Sequence, residues 1–350
     1  MTTEHISDAL RTVKYPGFSR DIVSFGLVKN VSLNGDQAEV TIQVQTTDPK
    51  IPEQIYLACQ EALHALDSSI TYRVNVDVKA PAQTTGTQST ETGQKTGISG
   101  VKKIIAIASG KGGVGKSTVT SNLAVALQQQ GLKVGICDCD LYGPSIAQMF
   151  GATDRQPSAN QQDQIIPIQA HGITLMSMGF LLNHDSPVIV RGPLATRYIQ
   201  QFLRQVEWGE LDVLLLDLPP GTGDIQLTIV QTIALDGSII VTTPQEIALI
   251  DARKAISMFS KVNIPILGLV ENMAYFLCDH GIKYQIFGEG GGKAEAKKLK
   301  IPFLGEIPIE PPVCQAGDLG TPIALANPNL SVTSNAFKQV AEAFSPDLNR

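Results

Sequence analysis

Ser109-Gly-Lys-Gly-Gly-Val-Gly-Lys-Ser-Thr118 is the stretch from which the rest of this chain can be read. Between Gly110 and Ser117 it fits the phosphate-loop pattern G-x-x-x-x-G-K-[ST], with a second lysine, Lys111, directly after the first glycine. Gly110, Gly112, Gly113 and Gly115 let the backbone curl, so that N–H groups from Gly110 through Val114 to Thr118 converge on phosphate oxygens. Lys116 brings a point charge to the β- and γ-phosphates, and the Ser117 hydroxyl is placed to ligate Mg²⁺. Lys111 adds positive charge where the γ-phosphate is cleaved. The stretch predicts a chain that binds and hydrolyses a nucleoside triphosphate.

Both flanks agree with that reading. Val101–Ser109 is a short apolar, β-branched run of the kind found in buried parallel strands. After the loop, Val119, Leu123, Ala126 and Leu127 recur at helical spacing, and Gly131 stands where a helix ends. Such an order aims a helix N-terminus at phosphate. Further apolar strands are predicted near 133–138, 211–217, 237–242, 265–271 and 302–307, alternating with helical segments. The fold class is therefore α/β: a doubly wound, mostly parallel sheet over residues 101–350. Its ligand belongs at the carboxyl ends of the strands.

Residues 81–100 contain six Thr and four Gly with a single strongly apolar side chain, Ile98, and read as a flexible linker. Before it, residues 1–80 predict a small α+β domain. Ala38, Val40, Ile42 and Val44 alternate, as do Tyr72, Val74, Val76 and Val78, so both stretches are half-buried strands. Asn34-Gly35 signals a hairpin between Leu27–Leu33 and Ala38–Gln45. A helix from Pro52 to Leu66 lines up Ile55, Leu57/Ala58, Ala62, Leu63 and Leu66.

A net charge of −6 over 350 residues argues against binding nucleic acid through a broad basic face. No apolar run approaches the ~18 residues that span a bilayer, and the amino terminus lacks the pattern of a signal peptide. A cytoplasmic protein without a membrane partner is expected. The five cysteines, Cys59, Cys137, Cys139, Cys278 and Cys314, are no disulfide framework. Cys59, inside the predicted helix, and the pair Cys137 and Cys139 read as packing residues.

Two strands close on acids. Leu211–Asp217 ends in a carboxylate that orients Mg²⁺ through water, followed by a glycine-containing loop able to sense the γ-phosphate. The strand before Asp138-Cys139-Asp140 places two more carboxylates where Mg²⁺ and an attacking water are positioned. Asn272, at another strand end, is suited either to a base edge or to a turn.

Taken with Asp138-Cys-Asp-Leu-Tyr-Gly-Pro-Ser145 and Asp217-Leu-Pro-Pro-Gly-Thr-Gly-Asp224, the loop with its extra Lys111 resembles the deviant P-loop ATPases, MinD and ParA among them. Val190-Arg-Gly-Pro193, Val270-Glu-Asn-Met273, Phe287-Gly-Glu-Gly-Gly-Gly292 and Ile301-Pro-Phe-Leu-Gly-Glu-Ile-Pro308 are similar to blocks of the Mrp/ApbC-like iron–sulfur cluster carriers. The first domain resembles the iron–sulfur assembly domain often fused ahead of them. The resemblance implies a homodimer around two ATP molecules, with Lys111 reaching the partner's phosphates and Asp140, with Asp138, activating water. It also implies Ser117 and Asp217 on the Mg²⁺ side, Asn272 at the adenine, and a bridging iron–sulfur cluster, four-iron in type, passed to apoproteins with the help of assembly factors. The chain departs from the family at the cluster. The second cysteine of the usual Cys-x-x-Cys is missing from Cys278-Asp279-His280-Gly281, leaving Cys278 as the expected ligand and His280, Cys314 or an external thiol to complete the set. The first domain also departs, with Tyr15-Pro16-Gly17 and Thr46–Lys50 in place of the usual Asp-Pro-Glu and reactive cysteine, so a docking role is expected for it. Two alternatives remain open: an ATP-gated scaffold without its own cluster, and a positioning ATPase. Phe337, Val340 and Phe344 at helical spacing read as a core helix, against membrane attachment.

Overall fold

The computed structural model describes residues 2–16, 21–23, 26–35, 37–45, 50–67, 70–79, 97–160, 162, 164–180, 199, 202–278 and 280–348. They form two compact units, one up to Lys79 and one from Gly97 onward. The linker expected over 81–100 lies, through residue 96, outside the described residues, as do the Val190–Pro193 block and Thr46–Pro49.

In the first unit Thr2 caps the helix Thr3–Leu10, its hydroxyl accepting from the His5 N–H while the His5 ring returns a bond to the cap backbone. Strand β1 (Val28–Asn34) turns at Gly35, φ +61°, into β2 (Gln37–Gln45), its antiparallel partner. The helix Lys50–Leu66 then carries the chain back, so β3 (Thr71–Lys79) lies parallel to β2. The alternating Ala38, Val40, Ile42 and Val44 meet Ile6, Leu10, Ile55, Cys59 and Leu63 in one core. Cys59 is wholly buried, and burial pushes its thiol up to about 12. Leu57 is exposed and Ala58 packs in its place; Val78, at the end of the edge strand β3, is also exposed.

The second unit is built on β4 (Val101–Ala108), where Ile104–Ala108 are buried on both faces of the sheet. The helix Lys116–Gln129 leads to β5 (Val134–Asp138), and Gly131, φ +90°, follows that helix where its end was expected. After a small hairpin of β6 (Ser158–Ala159) and β7 (Ile165–Ile166) come β8 (Ile168–Ala170) and β9 (Ile173–Ser177), then β10 (Leu211–Asp217), β11 (Gly237–Thr242) and β12 (Ile266–Glu271). A hairpin of β13 (Phe276–Leu277) and β14 (Lys283–Tyr284) precedes β15 (Phe303–Glu306). The sheet order is β15-β12-β11-β4-β10-β5-β9-β8, parallel except for the edge pair β8–β9. The order reverses about β4. The crossover from β4 to β5 passes over β10, and β10 connects to β11 on the other side of β4. Right-handed crossovers in these two directions put the helices Lys116–Gln129 and Glu246–Lys261 on opposite faces. Phe337, Val340 and Phe344 of the C-terminal helix Val332–Leu348 are fully buried, the helix packing on Lys116–Gln129, as a core role requires.

The pair β8–β9 is not visible in the sequence pattern. Ile173–Ser177 is buried on both faces and shows no alternation. Its turn, His171-Gly172, has φ +50° and +77°, the paired left-handed residues of a type I′ hairpin, in a dipeptide that is not a usual turn signal.

Candidate functional site

Parallel pairing brings the C-terminal ends of β4, β10, β5, β11 and β12 to one edge, and every residue singled out around the phosphate loop lies there. The loop is fixed by contacts from distant parts of the chain. Ser109, buried at the end of β4, donates its hydroxyl to the Lys111 carbonyl at 3.0 Å. Gly110 packs so closely on the carbonyl of Asp251, in the helix Glu246–Lys261, that a Cβ would overlap it. Gly115, φ +80°, is the N-cap of the helix Lys116–Gln129, and the side-chain amide of Asn272 fills the space where its Cβ would go. Asn272 is buried; its backbone N–H donates to Thr242 O at 2.8 Å and its Nδ2 to Val114 O at 2.8 Å. The residue that the resemblance puts at the adenine thus braces the loop from the end of β12.

The cationic centre is closed on itself. Lys116 Nζ, on a side chain only 6% exposed, is 2.8 Å from Oδ1 of Asp217, which is fully buried. Ser117 Oγ donates to Asp217 Oδ2 at 2.6 Å, and Thr120 Oγ1 to Asp217 Oδ1 at 2.7 Å. Hydroxyl and carboxylate, the hard oxygen pair that Mg²⁺ prefers, therefore already surround a positive charge. These residues fit the ion. Thr120 was not anticipated, although it follows Ser117 by nearly one helical turn.

Asp138 ends β5 directly beside Asp217, its register partner. It is fully buried and accepts four bonds: from Asp140 N at 3.1 Å, Ser145 N at 3.1 Å, Ile146 N at 3.2 Å and Ser177 Oγ at 2.9 Å. Burial, then the neighbouring charge of Asp217, pushes its carboxyl up to about 7; the Ile146 N–H, Lys116 and the Asp140 N–H oppose the rise. Asp140 is half-buried and accepts from the N–H groups of Tyr142 and Gly143, both at 3.2 Å. Ser177 was also unforeseen, because its strand, β9, was. Cys137 and Cys139 are buried with their sulfurs 3.8 Å apart, and burial holds the Cys137 thiol well above its usual range. That is packing chemistry. Among the described residues no three His, Cys, Asp or Glu side chains gather as a metal site.

Two further pieces meet the same edge of the sheet. Glu271, buried at the end of β12, accepts from Gly292 N, which seats the Phe287–Gly292 block and the helix Gly291–Leu299. Lys111 projects to the surface. Cys278 is half-buried at the tip of the β13–β14 hairpin, and His280 is exposed in the same turn. Cys314 lies on the exposed helix Pro311–Asp318, its thiol 3.8 Å from Asp318 Oδ2.

A glycine loop between a buried parallel strand and a helix, with its lysine and hydroxyl on the acid of the next strand, defines a P-loop NTPase, and the second lysine places it with the MinD and ParA type. Residues 100–345 match the family described as ParA, the NUBPL iron-transfer P-loop NTPase, and residues 3–78 match an iron-sulfur cluster assembly protein family. The iron-sulfur cluster carrier protein of Deinococcus radiodurans is 41% identical over 342 residues, 97% of this chain and 94% of that protein. A nucleotide-binding protein from Archaeoglobus fulgidus, solved in complex with ADP, is 42% identical over 67% of this chain and 92% of that one, with a TM-score of 0.59. The cell division ATPase MinD of Pyrococcus furiosus is 26% identical over 70% and 99%, with a TM-score of 0.54. The chain belongs to the iron–sulfur cluster carrier family of P-loop NTPases.

Proposed function

We propose that this chain is an ATP-hydrolysing carrier that receives iron–sulfur clusters and hands them to apoproteins, working in the cytoplasm as a homodimer. The ATPase half of that reading is carried by one observation: the Lys116 ammonium held between the Asp217 carboxylate and the Ser117 hydroxyl at the mouth of the phosphate loop. A triphosphate draws Lys116 from Asp217 to its own oxygens, leaving Ser117 and Asp217 to hold Mg²⁺, which neutralises charge on the phosphates. Main-chain N–H groups from Gly110 to Thr118 then orient the chain of phosphates. Asp140 is the better candidate for orienting the attacking water, because it reaches the surface while both oxygens of Asp138 are occupied by donors. Asp138 holds the Asp140–Ile146 segment in place for it. Lys111, exposed on the loop, is free to meet phosphates bound to a second copy. Family membership and the thiol of Cys278 at a half-exposed hairpin tip support the carrier half, and five free cysteines suit a reducing compartment. The first unit acts as a docking module for assembly factors and recipients.

The test has two arms. Calorimetry with Mg·ATP should show binding to wild type and to Asp140→Ala, with phosphate release lost only in the variant. Anaerobic reconstitution with ferric iron and sulfide should load wild type and fail in Cys278→Ala. Absence of heat with Mg·ATP would overturn the ATPase reading; an unloaded wild type would overturn the carrier reading alone.

A further inference from the structure

The hairpin that carries Cys278 presents a ligand set different from a pair of thiolates. In its turn Gly281 N donates to Cys278 O at 2.9 Å and Cys278 N to Ile282 O at 3.1 Å. Gly281 has φ +77°, a conformation in which a cysteine would be strained, so the turn is shaped for glycine at that position. Two residues after the thiol it offers the exposed imidazole of His280. Beyond it, Ile282, Tyr284 and Ile286 are 55%, 50% and 58% exposed. Ile282 and Tyr284 flank Lys283, which turns the other way and lies 4.0 Å over the Tyr275 ring, while Ile286 falls in the turn that follows β14. Exposed apolar side chains directly after a thiol and an imidazole mark a surface that is covered in use.

On the reading that this chain carries clusters, we infer that its cargo is a [2Fe–2S] cluster held between two copies by Cys278 and His280 of each. One chain supplies one thiolate and one imidazole, half of what a cluster of this kind takes, and a two-fold axis supplies the same pair again. This count is also what selects a second copy, and not another protein, as the occupant of the surface around Ile282 and Tyr284. Loading involves no redox step. Each Cys278 thiol loses its proton to solvent, each imidazole binds neutral, and two thiolates balance the charge of two ferric ions and two sulfides. Cys314 lies on a separate helix beside Asp318 and, among the described residues, does not gather with Cys278 and His280 as a metal site.

Full-length protein reconstituted anaerobically with ferric iron and sulfide tests this directly. Wild type should bind about two irons per pair of chains, and pulsed EPR of the dithionite-reduced protein should show nitrogen coupled to the cluster. His280→Ala should lose that coupling together with most of the iron, whereas His280→Cys should keep the iron, lose the nitrogen signal and shift the reduction potential downward. His280 is exposed, so neither change threatens folding. About four irons per pair of chains, or a nitrogen signal unchanged in His280→Ala, would overturn the assignment while leaving the carrier reading standing. A wild type that binds no iron would overturn both.

Discussion

At the scale of single residues, the site is governed by two buried carboxylates that share one end of the sheet. Asp217 is paired with Lys116 at 2.8 Å, whereas Asp138 is held by four donors and pushed up to about 7. Its ordinary value is 3.8, so between the two the folded chain retains a proton that the unfolded chain has released. The stability contributed by Asp138 is therefore complete below the unfolded value and is lost as the pH rises through about 7. We expect the melting temperature of the nucleotide-free protein to fall from about pH 5 to about pH 7, and the slope to flatten in Asp138→Asn. That variant turns an amide donor toward the Asp140 N–H and should lose about 1–3 kcal/mol at low pH, read from urea midpoints. Lys116→Met leaves the Asp217 charge without its cation and should cost about 3–5 kcal/mol, with the heat of Mg·ATP binding abolished. A variant as stable as wild type would show that the hydroxyls of Ser117 and Thr120 suffice to satisfy the Asp217 carboxylate.

Among the elements, the phosphate loop depends on the helix Glu246–Lys261 and on the end of β12 as much as on its own glycines. A methyl group at Gly110 would overlap the Asp251 carbonyl, and neither backbone can move without the sheet. Gly110→Ala should therefore cost roughly 1–3 kcal/mol and lose nucleotide binding, as seen in parallel denaturation and calorimetry. Asn272→Ala frees the Val114 carbonyl and should weaken ATP binding while leaving the fold intact. The C-terminal helix backs the loop's own helix from outside. Phe344→Ala, at a fully buried position, should destabilise the unit by about 3–5 kcal/mol without altering ATP affinity in the fraction that remains folded.

For the whole molecule, the decisive property is that each unit owns a core. The first closes around Ile6, Val40, Ile55 and Leu63, the second around the large sheet. Calorimetric unfolding should show two transitions, and Mg·ATP should raise only the one belonging to the second unit, since a ligand stabilises what it binds. A single transition that moves as a whole would mean that the units unfold as one.

Much of this is legible in the sequence. The loop from Ser109 to Thr118, the strands on either side and the acids Asp138 and Asp217 at strand ends are local patterns, set by side-chain period and turn chemistry within a few residues. What the tertiary structure alone decided is who meets whom. β4 lies between β10 and β11, and β10 between β4 and β5, so Lys116 rests on Asp217 and Asp138 lies beside it. Likewise Asn272 reaches Val114, 158 positions away in the chain, and Ser177 reaches Asp138 from a strand with no alternation to announce it. Such partnerships follow from strand order and register, which depend on how the entire sheet buries its apolar faces, and no short window of sequence contains that information.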